Sequence, residues 1–337
     1  MNGTPFPRAN LMNRLPVALA IVCFSLFVPS LTKAGTIRSD VDPQTYLNLA
    51  AQPQYASVGR LSTTRPTGSL TSSGTLIAPD IVLTAAHTLD SASSLTFLVG
   101  GNTYTAVQWS AYPLWTGNLE AGYDLGLIKL SAPVVGVTPA TRYTGSSEKG
   151  MTVTQVGYGM TGTGLTGATR FDGKKRAGTN RVDSLSAGSG ASARLMWMDF
   201  DQPSSLGASR VGSGGPTALE YLIARGDSGG GLFADTKYGT QLIGVSSFGY
   251  SLDGNVDASY GERAGFTRVS TFNSWIDAML RQFGPTTAIN AGRWAMRPST
   301  RANELLIDVP EPSSAFLALS ALAALLCAKR NRRLQRP

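Results

Sequence analysis

Three short stretches carry side chains that together can act on an acyl group. Arg225-Gly226-Asp227-Ser228-Gly229-Gly230 sets a serine among glycines, so Ser228 can sit on a tight turn whose backbone N–H groups point at a reacting oxygen. Leu83-Thr84-Ala85-Ala86-His87 ends a β-type run in the only histidine of the chain, behind two alanines small enough to let its ring enter a cleft. Histidine is the side chain whose unperturbed pKa suits general acid/base work near neutrality. Asp124 heads the apolar run Leu125 to Leu130, which draws its carboxylate inward, and a buried carboxylate needs a partner such as an imidazole N–H. Singly, these would be a glycine-rich turn, a satisfied histidine and a turn aspartate. Jointly they supply a nucleophile, its base and a group that orients the base.

Composition excludes several other chemistries. Of the 29 Lys and Arg, eight lie in the first 34 or last 28 residues, which leaves 21 against 20 acidic residues between positions 35 and 309. A nucleic-acid-binding face needs many phosphate-neutralising cations on one surface, so no nucleic-acid partner is expected. The two cysteines, Cys23 and Cys327, fall in terminal apolar runs, and no disulfide or thiolate site is available between them. With one histidine and no central cysteine, a zinc site would need carboxylate ligands almost alone, so neither a metal nor any other cofactor is expected.

The elements that must position these groups are mostly strands. Short alternating or β-branched runs recur at Gly74 to Ile77, Ile81 to Thr84, Leu95 to Val99, Leu125 to Leu130, Met151 to Val156 and Leu242 to Ser246, with Gly, Ser, Thr and Pro between them. That pattern implies an all-β sandwich or barrel. One helix is expected at the end, capped by Thr271, with Phe272, Trp275, Ile276, Met279, Leu280 and Phe283 on one face and Gly284-Pro285 as its stop. Residues 160–192, rich in Gly, Thr and Ser and carrying Lys174-Lys175-Arg176, read as a solvated surface loop.

The order His87, Asp124, Ser228 resembles that of the trypsin/chymotrypsin-like serine peptidases. Ser247-Phe248-Gly249 is similar to the Ser-Trp-Gly strand with which that family pairs its substrate, and Gly265-Phe266-Thr267-Arg268-Val269 before the Trp275 helix is similar to its closing segment. The resemblance runs from about Tyr55 to Phe283. It implies two six-stranded antiparallel β-barrels with a C-terminal helix, and an endopeptidase acting on protein or peptide substrates. Ser228 would be the nucleophile, His87 the base and Asp124 its orienting partner, with the N–H groups of Gly226 and Ser228 as the oxyanion hole. Counting six residues back from Ser228 puts Leu222 at the floor of the specificity pocket, and with Ala264 near the wall a shallow apolar pocket follows, without preference for Arg or Lys. Thr88 stands where many animal members have a cysteine, so the likeness is to bacterial members. Family zymogens free an Ile-Val N-terminus that pairs with the Asp beside the nucleophile, here Asp227. No Ile-Val-Gly-Gly occurs, though trimming to Ile37 would supply a comparable ammonium.

Both ends read as targeting segments. A basic start, the apolar run Leu15 to Phe27 and small residues before and at Ala34 make residues 1–34 a signal peptide cut by signal peptidase. At the other end Pro310-Glu311-Pro312 precedes sixteen uncharged residues, Ser313 to Ala328, and then Lys329-Arg330-Asn331-Arg332-Arg333. At about 1.5 Å per residue that run reaches roughly 24 Å, short of a roughly 30 Å hydrocarbon core. This tripartite end resembles the PEP-CTERM sorting signal of Gram-negative bacteria, which an exosortase removes, and it implies a transient or permanent membrane anchor. The expected organisation is 1–34 signal peptide, 35–285 peptidase domain, 286–309 linker and 310–337 sorting segment, in a protein exported to the cell envelope or extracellular matrix. One alternative is a catalytically inactive member serving as a binding module. An α/β-hydrolase esterase would need the order Ser, Asp, His, which the chain does not have.

Overall fold

The computed structural model describes residues 35–203, 212, 215–251 and 254–284. The segments read as signal peptide, linker and sorting signal lie outside the described residues. Among the described residues no helix is long and apolar enough to cross a membrane.

The chain first lays down a two-residue strand, β1 (Thr36–Ile37), and a helix, α1 (Pro43–Ala50). The side chain of Asp42 accepts the N–H of Gln44 at 2.9 Å, and Pro43 occupies the first helical position, where its missing N–H is no loss. Six strands follow: β2 (Val58–Arg65), β3 (Gly68–Ala78), β4 (Ile81–Thr84), β5 (Ser94–Val99), β6 (Asn102–Ala111) and β7 (Gly126–Leu130). They close into an antiparallel barrel in the order β2-β3-β4-β7-β6-β5. The period of two decides what each face meets. Val82 and Ile128 join Leu61, Leu76 and Phe97 in one core cluster, whereas their neighbours Leu83 and Leu127 pack with Phe233, Val245 and Ile276 in another. Strand β4 is therefore buried along its whole length because both its faces are covered.

The second half contributes β8 (Thr152–Gly157), β9 (Thr161–Thr163), β10 (Gly167–Arg170), β11 (Arg176–Arg181), β12 (Ser184–Ser186), β13 (Leu195–Asp199), β14 (Tyr221–Leu222), β15 (Gly231–Thr236), β16 (Gly239–Tyr250) and β17 (Arg263–Arg268). Seven of these form one sheet, β11-β8-β15-β16-β17-β13-β12, and a smaller sheet runs β10-β9-β1-β14. Among the described residues, strand pairing does not close the expected second six-stranded barrel. At the seam between β11 and β13 a side chain takes over from the backbone ladder: Asn180 Nδ2 donates to Asp199 O at 2.7 Å and to Tyr221 O at 3.1 Å.

Two local expectations are corrected. Residues 160–192 are not a solvated loop; they form β9 to β12. Arg176 is almost fully buried and makes a bidentate pair with Asp172 at 2.8 and 2.7 Å, and Lys175 donates to Tyr55 O at 3.1 Å. Thr271 does not cap the last helix, because its hydroxyl donates to Ala193 O at 2.8 Å. The chain enters through a 3₁₀ turn, Ser270–Phe272, before α2 (Asn273–Gln282), whose Ile276 and Met279 are buried as expected.

The closing strand is pinned electrostatically. Arg268 reaches Glu148 through Nε at 2.8 Å and Nη2 at 2.6 Å with both side chains fully buried, and its Nη1 donates to Ala193 O at 3.1 Å. Removing one member leaves an uncompensated charge in the interior, so Glu148→Ala is expected to lower stability by about 3–5 kcal/mol, read as a shift in denaturant midpoint.

Candidate active site

Strands β4 and β7 are antiparallel neighbours, with Thr84 opposite Gly126. The chain leaving β4 and the chain entering β7 therefore lie at the same edge of the barrel. His87, three residues past β4 on a 3₁₀ turn, meets Asp124, two residues before β7. Asp124 is fully buried. Its Oδ1 accepts the His87 backbone N–H at 2.9 Å, and its Oδ2 lies 2.7 Å from His87 Nδ1. A carboxylate facing Nδ1 favours the tautomer with the proton there and leaves Nε2 as the basic nitrogen. The second half adds a third donor, Ser247 Oγ, at 2.5 Å from Oδ2. Ser247 sits where the β16/β17 register slips between Ser246 and Phe248, a bulge that re-aims its side chain toward Asp124.

Ser228 lies on the turn between β14 and β15. The turn is built on Gly226 (φ +96°) and Gly229 (φ +83°), conformations that an L side chain rarely adopts. Close packing adds to the demand: a Cβ on Gly229 would strike Thr84 Oγ1 and Ser73 O. The turn thereby rests against the segment leading to His87. Ser73 staples it further, since its N–H donates to Ser228 O at 2.8 Å and its hydroxyl donates to Gly226 O at 2.9 Å. Gly229 N–H is engaged by Ser246 O at 2.8 Å.

A cavity of about 300 Å³ opens beside Ser228. One wall is Ile223-Ala224-Arg225 and the other Ser247-Phe248-Gly249, with Val256, Ala258 and Glu262 completing it. Phe248 is set edge-on to Trp197 at 5.3 Å, and only a glycine at 265 leaves space for its ring. Leu222 and Ala264, expected at the floor and wall, are not among the lining residues. Both are fully buried in the core of the second half; Leu222 pairs with Thr36 across β14 and β1, and Ala264 pairs with Met198 and Gly249.

Residues 50–276 match the family model described as Trypsin. The chain belongs to the trypsin family. A solved structure titled HL collagenase superposes with a TM-score of 0.50 at 20% identity, covering 68% of this chain and 96% of that one. This likeness shows a chymotrypsin-like fold.

In this trypsin-family chain the residue before Ser228 has an environment of its own. Asp227 is buried; its Oδ1 accepts Gly159 N–H at 2.8 Å, and its Oδ2 accepts Tyr221 OH at 3.0 Å and Ala224 N–H at 3.2 Å. The backbone N–H of Gly35 also reaches this carboxylate, and a Cβ on Gly35 would collide with it and with the Tyr221 hydroxyl. Ile37, which trimming would make the first residue, is buried in β1 opposite Tyr221. Ser73, Gly35, Tyr221 and Glu262 were not legible as site residues: each is an ordinary residue type without motif context, brought in by strand pairing.

Burial pushes Asp227 up to about 6 from its ordinary 3.8, although the backbone donors and Tyr221 pull the other way. A folded value above the unfolded one means that the native state holds its proton to higher pH, so stability falls as pH rises from about 4 to about 6. While Gly35 remains in peptide linkage, denaturant titrations across that range are expected to show this slope, and Asp227→Asn to flatten it.

Proposed function

We propose that the protein is an exported serine endopeptidase that hydrolyses peptide bonds through His87, Asp124 and Ser228. The observation that carries this is the Asp124 carboxylate, which accepts from the backbone N–H of His87, faces its ring Nδ1 and accepts from Ser247 Oγ, a residue that lines one cavity together with Ser228. His87 takes the Ser228 proton as Oγ attacks the scissile carbonyl, and Asp124 stabilises the imidazolium that results. The N–H groups of Gly226 and Ser228 would receive the oxyanion, each worth about 3 kcal/mol of transition-state stabilisation. His87 then protonates the leaving amine, and water, deprotonated by the same imidazole, releases the acyl group from Ser228. No cofactor enters these steps.

A fluorophosphonate probe tests the assignment directly. The purified chain is expected to be labelled, and Ser228→Ala and His87→Ala are each expected to abolish labelling, Ser228→Ala without changing the melting temperature. A folded wild-type protein that resists the probe would favour the binding-module alternative.

Export follows from the sequence of both ends. Signal peptidase would cut after Ala34, and the 310–337 segment would act as a PEP-CTERM signal for an exosortase at the envelope of a Gram-negative bacterium. Cutting there makes Gly35 the first residue, with its nitrogen already beside Asp227. As an ammonium it would pair with Asp227 and hold it ionised, opposing the shift caused by burial. A chain starting at Gly35 is therefore expected to react with the probe faster than one that keeps Ala34 and residues before it, and Asp227→Asn to remove the difference.

A further inference from the structure

His87 lies on a short 3₁₀ turn, Ala86–Thr88. A single turn leaves the carbonyls at its end without partners inside it. Strand β2 supplies those partners from outside. Thr63 Oγ1 donates to Thr88 O at 3.1 Å, and Arg65 Nη2 donates to His87 O at 2.7 Å. Thr63 and Arg65 are two residues apart, so they leave β2 on one face, the face from which Leu61 enters the barrel core. That face is a firm platform. Thr63 pairs with Leu70 on β3 and with Leu95 on β5, and Arg65 pairs with Gly68 across the hairpin at Pro66-Thr67. Leu89, just beyond the turn, packs in the same core cluster as Leu61.

The two backbone groups of His87 are thus held by opposite charges. Its N–H is received by the Asp124 carboxylate at 2.9 Å, and its carbonyl receives the Arg65 guanidinium. Bonds in which one partner is ionised are the strong ones, so the backbone under the imidazole is fixed from both sides. Stability alone would not choose this arrangement. Arg65 Nε is buried and has no hydrogen-bond partner among the described residues, and a buried donor left unpaired costs free energy. Among the described residues, the one hydrogen bond that the Arg65 side chain makes is the one to His87 O.

We propose that Arg65 is a positioning residue for His87: it fixes the carbonyl side of the turn as Asp124 fixes the N–H side, and so keeps Nδ1 on Asp124 and Nε2 directed to Ser228. This rests on the peptidase function proposed above. An imidazole that swings on a slack backbone loses its line to the nucleophile even where substrate still binds, and a displacement of about 1 Å can lower a rate by on the order of 100-fold. Arg65 touches no reacting atom and acts through His87.

His87 is the only histidine, so the imidazole signals of the full chain, isotope-labelled at histidine, are unambiguous in a magnetic-resonance spectrum. Methionine at position 65 is apolar and unbranched, and it removes both the bond to His87 O and the unpaired Nε. Arg65→Met is expected to leave the melting temperature unchanged or higher, while the proton on Nδ1 exchanges with water at least about 10-fold faster. With the fluorophosphonate probe, the maximal labelling rate is expected to fall by at least about 10-fold at an unchanged half-saturating concentration, and Arg65→Lys, which restores a cationic donor, to recover most of it. A residue that only braced the barrel would lower the melting temperature and leave the rate per folded molecule as it was. Unchanged exchange in Arg65→Met overturns the proposal, as does an Arg65→Lys chain no faster than Arg65→Met. An Arg65→Met chain that does not fold overturns it as well, because the role then belongs to the fold, and so does a wild-type Nδ1 proton without protection from water. A wild-type chain that resists the probe defeats the peptidase assignment, and the exchange comparison still decides whether Arg65 holds the imidazole.

Discussion

The carboxylate of Asp124 is the point at which the two halves of the molecule are fastened into one site. It has no exposure to water, and it is satisfied by a backbone N–H and a ring nitrogen from the first barrel and a hydroxyl from the second sheet. An ionised carboxylate in such a place is tolerable only if every donor arrives together, because an unpaired buried charge is strongly destabilising. Docking of the halves and assembly of the candidate base are therefore one event. Thr267 reinforces it from β17, donating its hydroxyl to Asp124 O at 2.9 Å. The apolar packing around it, with Leu83, Leu127, Val245 and Phe272 in a single cluster, supplies the non-directional attraction. The carboxylate supplies the register.

What the sequence made legible follows from the same division. His87, Asp124 and Ser228 stand in short motifs whose chemistry is local, and the strands of the first barrel alternate in the way a two-sided core demands. Val82 turns into the barrel and Leu83 away from it, toward the second half, an alternation that neighbouring letters already carry. Strands β9 to β12 could not be found in this way, since their Gly, Thr and Ser residues carry no apolar alternation and are ordered by partners distant in sequence. The pairs that organise them, Asn180 with Asp199 O and Lys175 with Tyr55 O, leave no mark on local composition. Helix α1 was missed for a different reason: eight residues with two buried side chains give too short a run for a period of 3.6 to stand out.

The cavity beside Ser228 is lined by residues other than Leu222. Six residues before Ser228 is a position in sequence, but the wall of a cavity is a position in space, and here Leu222 is drawn into β14 by pairing with β1. The segment before β17 supplies the wall instead, and with it a carboxylate. The lining of this cavity and the motifs of His87 and Asp124 are carried by different stretches of sequence.

Asp227 and Ser228 are consecutive, and this adjacency ties Gly35 to the turn that carries Ser228. The Asp227 side chain is gripped by Gly159, Ala224 and Tyr221 on one side of the turn, while the Ser228 carbonyl is gripped by Ser73 on the other. The peptide between them is held from both sides once both grips are made. A neutral carboxyl has one acceptor fewer to offer its donors than a carboxylate does, and burial alone favours the neutral form. The backbone N–H of Gly35 reaches the same carboxylate, and only a glycine fits there between Tyr221 and Asp227. The backbone at Gly35 and the peptide of Ser228 are, on these contacts, two ends of one short chain of hydrogen bonds.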